Sequence, residues 1–413
     1  MKPTRTEPDE RAPANNQQLV KELQRFATLD ELRRSDFFRA REPELKRLFD
    51  EPRIYEPPAV RPRLRSFLRV VEWNIERGSR LDGIIKVLND HPVLGFADLL
   101  LLNELDDGML RSGNRNVALE LSRALSAHAV YGVEYLEMTK GVGEELKLPG
   151  ENRAALHGNA ILTRHKASNP QVVRLPRCEN NFESAEKRLG GRIGIIIDLE
   201  IGDAGVTAAT THLDVVNTPR CRARQMRAML EAIDSRIRNQ PGADLASRSV
   251  IVGGDLNTHT FARGNRLRAM KNTALILGSN RDSLAARFAH PERKERAIVE
   301  FARFGYETES LNDRRATGRS VVSKLDDSRS LPSPVKWWVK RRIGPEGLLL
   351  EFRLDWLAAR GLRALGAGEM TDAETGVTSV DPQTLSGLTC DGLPLSDHDP
   401  IVVDLAVQGN RKR

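Results

Sequence analysis

The chain has 413 residues, 39% hydrophobic and 29% charged, which is enough to bury a large core and too polar for a membrane-embedded protein. Sixty-four Lys and Arg against 57 Asp and Glu leave a formal charge of +7, a balance that suits an anionic partner. Cys178, Cys221 and Cys390 are far apart with no Cys-x-x-Cys spacing, which points away from a disulfide framework and toward a reducing, cytoplasmic setting.

The first residues, Met1 to Glu10, lack the apolar stretch of a secretory signal, and no run is long enough to be a transmembrane segment. Residues 1–18 are polar and contain proline, so disorder is expected there. Leu19, Leu23 and Phe26 have helical spacing, and Thr28-Leu29-Asp30-Glu31 reads as a capping box opening a second helix. Pro52, Pro57, Pro58 and Pro62 make 51–65 an extended linker, so residues 1–65 are expected to form an N-terminal extension and 66–408 the main domain.

Within the main domain, strand-like runs are expected at 67–75, 98–103, 159–163, 192–199, 206–213, 249–252, 353–358 and 401–405. Helices are expected at 81–88 and 116–127, and Thr218-Pro219 supplies the cap and first-turn proline of another. Met226, Leu230, Ile233 and Ile237 lie on one stripe of that helix. Alternating strands and helices with apolar strands predict an α/β layer fold.

Polar residues gather at the ends of these strands. Ser249-Val250-Ile251-Val252 runs into Gly253-Gly254-Asp255-Leu256-Asn257, where the glycines permit a tight turn and strand alternation would send Asp255 and Asn257 to the same side. Ser396-Asp397-His398 precedes the strand at 401–405. Acid, amide and imidazole groups in such positions suit metal-assisted phosphate chemistry, because a phosphate ester repels an attacking hydroxide until a hard cation with oxygen ligands offsets its charge.

In chain order the motifs are Trp73-Asn74-Ile75, Asn103-Glu104, Gly158-Asn159-Ala160-Ile161-Leu162, Thr211-His212-Leu213, Gly253 to Asn257, Leu354-Asp355-Trp356 and Ser396-Asp397-His398. This succession resembles the endonuclease/exonuclease/phosphatase superfamily, which includes type I deoxyribonucleases, apurinic-site endonucleases, sphingomyelinases and inositol polyphosphate 5-phosphatases. The resemblance implies a four-layer α/β sandwich, two packed mixed sheets with helices outside. It implies Mg²⁺, with Mn²⁺ as a substitute, held by Glu104 with Asn74 and Asp397. It pairs Asp355 with His398, has Asp255 orient or deprotonate water, and has Asn257 and His212 donate to the phosphate. Asn103 departs from the glutamine that many relatives carry before the glutamate. Histidine at position 212 is similar to the deoxyribonuclease I and sphingomyelinase branches and argues against an apurinic-site role.

The reaction so implied is phosphoester hydrolysis; the basic balance makes a phosphodiesterase acting on nucleic acid the first choice, and a monomer is expected. A small phosphorylated molecule or lipid headgroup is the second substrate class, and a non-catalytic binding protein on the same fold a third reading. Two basic features bear on substrate. Arg220, Arg222, Arg224 and Arg227 follow His212, where they could meet phosphates or form a solvated helical face. The insertion 312–347 holds nine Lys and Arg against four acids around Trp337 and Trp338, a mixture that suits stacked bases or a membrane interface.

Overall fold

The computed structural model describes residues 16–215, 218–239, 248–259, 290–321 and 349–407, with a few single residues at 271–288 and 333–337. Most of the basic insertion, including Lys336 and Trp338, and the N-terminal residues 1–15 lie outside the described set.

Two mixed sheets carry the architecture. The larger has the order β1 (Arg53–Tyr55), β4 (His128–Glu137), β5 (Leu156–Thr163), β3 (Leu99–Asp107), β2 (Leu68–Arg77), β18 (Ile401–Ala406) and β14 (Arg363–Ala364). Short strands β7 (Arg188–Gly190) and β15 (Gln383–Thr384) join it on β4 and β18. The second sheet runs β13 (Asp355–Arg360), β10 (Ser249–Asp255), β9 (Ala204–Thr211), β8 (Ile193–Ile201) and β6 (Lys166–Arg174). The β2–β3 and β9–β10 pairs are parallel and the others antiparallel. Two hairpin-like ribbons complete the described strands, β11 (Gly318–Val321) with β12 (Leu349–Phe352) and β16 (Thr389–Cys390) with β17 (Leu393–Pro394).

The strands read as nearly unbroken apolar runs because both faces of each sheet are covered. Val70, Leu99, Leu101 and Ile161 of the first sheet meet Ile195, Ile197, Ala208, Ile251 and Leu357 of the second in one buried cluster. On the outer face of the first sheet, Val71, Trp73, Leu100 and Leu102 pack with α4 (Leu81–Asp90) and α5 (Val117–Leu125). On the outer face of the second, Ile196, Ala209, Val250 and Val252 pack with α6 (Pro219–Arg238) and α7 (Arg296–Arg303), through Met226, Leu230, Ile233 and Phe301. The layers therefore run helix, sheet, sheet, helix, as the family resemblance implied.

Local signals operate as physical chemistry requires. Thr28 Oγ1 accepts from Glu31 N at 3.1 Å and opens α2 (Leu29–Arg34), while Thr218 caps α6 by accepting from Cys221 N at 3.3 Å. Helices α1 (Gln17–Gln24), α2 and α3 (Asp36–Asp50) place Leu23, Leu32, Leu45 and Phe49 in the same cluster as Trp73 and Leu102. The Pro-rich stretch 51–65 is extended and pinned to the domain. Its residues Arg53 to Tyr55 pair antiparallel with Ala129 to Tyr131 of β4, and Asp98 accepts from the amides of Arg63 and Leu64 at 2.9 Å each.

The cysteine expectation needs correcting. Cys178, in the loop after β6, and Cys221, in the first turn of α6, are joined as a disulfide with Cα atoms 6.3 Å apart. Their 43-residue separation carries no spacing signal, and only the packing of α6 against that loop brings them together. No described helix is long and apolar enough to cross a membrane.

Candidate active site

The ends of β2, β3, β9 and β10 and the starts of β13 and β18 converge at one mouth of the sandwich. There Asp255 ends β10 and Asp355 begins β13, facing each other in register. His398 reaches them from the other sheet: its Nδ1 lies 2.7 Å from Asp355 Oδ2 and its Nε2 3.8 Å from Asp255 Oδ2. His212 Nε2 is 3.4 Å from the same Asp255 oxygen, and Asn74 Nδ2 donates to it at 3.1 Å. Asp255, Asp355 and His398 place a ligating atom each within 4.8 Å of one another.

The backbone fixes this cluster. Gly254 has φ +151, and a Cβ there would run into the Thr211 carbonyl oxygen, so β10 can approach the end of β9 only with glycine. Asp255 N donates to Asn103 Oδ1 at 2.7 Å, so the residue that departs from the family's glutamine still reaches across to the second sheet. Ser396 Oγ donates to Asn74 O at 2.7 Å and accepts from His398 N at 3.0 Å, while Trp73 Nε1 donates to His398 O at 2.9 Å. Thr317 Oγ1 accepts from Asp355 N at 3.0 Å.

Glu104 has φ +58 and sits where the β2–β3 and β3–β5 registers both shift, a bulge that re-aims its side chain. Its amide donates to Asn159 Oδ1 at 3.4 Å, and Asn159 Nδ2 donates to Glu134 Oε1 at 3.0 Å. Glu134 Oε2 in turn accepts from Arg192 at 2.9 Å. The Gly-Asn-Ala-Ile-Leu motif thus supports the glutamate from below. Asn257 ends differently from its expected alternation. With φ +50 it has left the strand, its amide nitrogen Nδ2 donates to Leu213 O at 2.9 Å, and its backbone amide donates to Asp255 Oδ1 at 2.8 Å. Asp397 is exposed beside the buried cluster.

Charge states follow from these contacts. Burial works against the His398 imidazolium, but Asp355 and then Asp255 outweigh it and hold the pKa well above the usual histidine value. Burial drives His212 the other way, helped by Arg192, so its ring stays neutral and its approach to Asp255 is not an ion pair. Burial and the charge of Asp355 push Asp255 up to about 7. For Glu104, burial is outweighed by His157, Arg77 and His398, which keep it ionised below the usual carboxylate range.

One residue of this cluster was not singled out in the sequence. Glu72, inside β2, is fully buried, neither of its oxygens has a hydrogen-bond partner among the described residues, and burial with Asp355 and Asp255 nearby raises its pKa well above the usual value. An acid in the middle of an apolar strand was the available signal. Asp355 Oδ1 is likewise buried without a hydrogen-bond partner among the described residues. Buried acids with unmet oxygens make a site of oxygen donors and excess negative charge, which fits a hard divalent cation.

Two of the arginines after His212 are taken up by carboxylates of the neighbouring segments. Arg222 is fully buried against Glu295, with its Nε 3.1 Å from Oε2, and Arg227 Nε donates to Glu300 at 3.0 Å. They hold α6 to its neighbours.

A model of the Endonuclease/Exonuclease/phosphatase family matches residues 71–344. The chain belongs to this family. The motifs at Asn74, Glu104, His212 and Asp255 all fall within the matched region. No curated protein matches the chain. Among solved structures, similarity extends to an endonuclease/exonuclease/phosphatase from Beutenbergia cavernae, at 16% identity over 83% of this chain and 72% of that one, with a TM-score of 0.43. The human Nocturnin catalytic domain with bound sulfate is similar at 16% identity over 86% and 96% of the two chains, TM-score 0.43. The TDP2 of D. rerio complexed with single-strand DNA product is similar at 16% over 83% and 100%, TM-score 0.42.

Proposed function

We propose that this family member is a Mg²⁺-dependent phosphodiesterase that cleaves nucleic acid by in-line attack of a water, with residues 66–408 as the catalytic unit and residues 1–65 as its extension. The observation that carries the reading is the meeting of Asp255, Asp355, His398, His212 and Asn74 at one mouth, with Glu104 beside them. Glu104, with Asn74 and Asp397, would hold a Mg²⁺ or Mn²⁺ ion, whose charge offsets that of the phosphate and eases attack.

The chain's own groups do the rest. Asp255, with a pKa near 7, is placed to orient a water and take its proton. His398, kept cationic by Asp355, donates to a phosphoryl oxygen as charge builds there. Neutral His212 donates a hydrogen bond to the same group or to the leaving oxygen. The net charge of +7 favours a polyanionic substrate over a neutral one.

A substrate panel tests this reading. Plasmid DNA, RNA, phospholipid and sugar phosphates would be offered with Mg²⁺ and with a chelator. Metal-dependent cleavage of DNA or RNA is expected. Turnover confined to phospholipid or sugar phosphates would move the assignment to the second substrate class, and no metal-dependent turnover on any ester would leave a binding protein.

A further inference from the structure

Helices α2 and α3 close a cavity of about 360 Å³ against the end of β6 and against β7, inside the range of roughly 300–1,000 Å³ typical of small-ligand sites. Its apolar, partly aromatic lining is Phe38, Leu45 and Phe49 of α3 with Leu175 and Leu189. Its cationic lining is Arg33 from α2, Arg174 from β6, Arg177 from the following loop, and Arg192.

Two of these charges are left over. Arg192 is held by Glu134, and Arg174 lies 3.6 Å from Asp50 with its guanidinium 4.7 Å from the centre of the Phe49 ring. Lys46 also pairs with Asp50. Glu42, the other acid of the lining, is exposed and forms an ion pair with neither remaining arginine. Arg33 and Arg177 therefore line the cavity without a carboxylate partner among the described residues, and burial and then the nearby Arg33 disfavour the charge on Arg177.

Arg177 is set in place before any ligand arrives. Its carbonyl accepts from Arg224 at 3.2 Å, that of Pro176 accepts from Gln225 at 3.1 Å, and its own Nη2 donates to Gly190 O at 3.2 Å. The next residue, Cys178, is tied to α6 through Cys221. The cavity lies toward the same end of the second sheet as the catalytic mouth, since Arg174 pairs with Ile193 and Gly194 with Thr211, and Arg192, which lines it, is linked to Glu104 through Glu134 and Asn159.

We propose that this cavity takes one nucleotide of the substrate strand outside the scissile position, its phosphate between Arg33 and Arg177 and its base against Phe38, whose ring is only partly buried. This rests on the nuclease reading and gives the N-terminal helices a part in it. Arginine beside an aromatic ring is the combination that holds a base with its phosphate. A pocket of this size encloses one planar ring and its phosphate, not the paired acyl chains of a phospholipid.

The test compares the double variant Arg33→Gln, Arg177→Gln with wild type. Binding of a fluorescein-labelled single-stranded oligonucleotide is read by anisotropy in chelator, so that no turnover occurs. Mg²⁺-dependent hydrolysis of bis(p-nitrophenyl) phosphate and the melting temperature are measured in parallel. We expect oligonucleotide Kd to rise about tenfold, and the salt slope to shrink by about 0.7 because one phosphate is no longer neutralised. Aryl diester turnover and melting should stay at the wild-type level, and Arg33→Lys with Arg177→Lys should restore most of the affinity. Unchanged oligonucleotide binding in the glutamine variant overturns the pocket and leaves the nuclease reading standing. Loss of aryl diester turnover in that variant also overturns it, since the arginines would then act on the catalytic centre. Wild type that binds no oligonucleotide but binds anionic phospholipid vesicles overturns both readings.

Discussion

Asp355→Asn keeps the shape of the first residue of β13 and removes one charge, which isolates the role of the Asp355–His398 pair. The two groups are 2.7 Å apart, and Asp355 is the largest of the influences that keep His398 protonated against the cost of burial. A charge-assisted hydrogen bond of this kind contributes about 1.5–3 kcal/mol. At ~1.36 kcal/mol per factor of ten, turnover of bis(p-nitrophenyl) phosphate should fall roughly 10- to 150-fold. The pH profile carries a second signature. His398 loses its main support, so its imidazolium is given up at lower pH and the alkaline limb moves toward acid. Asp255 loses its like-charged neighbour, so its pKa falls from about 7 and the acid limb moves the same way. Stability follows the same sign. His398, whose folded pKa is raised, contributes stability that is fully present below the unfolded value near 6.5 and is lost as pH rises through the folded one. A variant within threefold of wild type, with both limbs unmoved, would refute the reasoning.

Three further outcomes follow from other contacts. Glu72 and Asp255 both have raised pKa values, so the folded protein binds extra protons, for Asp255 between 3.8 and about 7, and without a cation its stability should decline as pH rises through that window. Mg²⁺ should therefore raise the melting temperature more at about pH 8 than at about pH 5.5; an equal or larger gain in acid would contradict the cation site. Gly254→Ala should destabilise the fold by about 1–3 kcal/mol and depress turnover, because the new methyl meets the Thr211 carbonyl; an unchanged urea midpoint would count against it. Asp404 accepts from Arg69 at 2.8 and 2.7 Å with both side chains buried. Asp404→Ala should cost about 3–5 kcal/mol by stranding the arginine, and the double variant Arg69→Met, Asp404→Leu should recover much of it in the same denaturation assay.

The strands that carry the site were legible because they are buried on both faces and end in glycine or in a run of polar residues, as at Gly253 to Asn257 and Ser396 to His398. Strands β4 and β6 were not. Gly132 and the buried acids Glu134 and Glu137 interrupt the apolar pattern of β4, and β6 is an exposed edge containing Pro170. The acids of β4 are tolerated because Arg192, Arg111 and Arg188 surround them, a compensation that comes from distant segments. Strand alternation does not apply to Asn257, since β10 ends at Asp255 and the Asn257 Nδ2 donates to Leu213 O.

By itself the sequence determined the layer fold and the identity and order of the strand-end groups, because apolar runs, caps and turn residues act over a few positions. It could not determine which groups meet or how they are charged. Asp255 faces Asp355 through the β10–β13 register, and His398 arrives from the other sheet, so their contact exists only once the two sheets pack. Burial then sets a cationic His398, a neutral His212 and an Asp255 near 7, and burial belongs to the whole fold and to no segment of the chain.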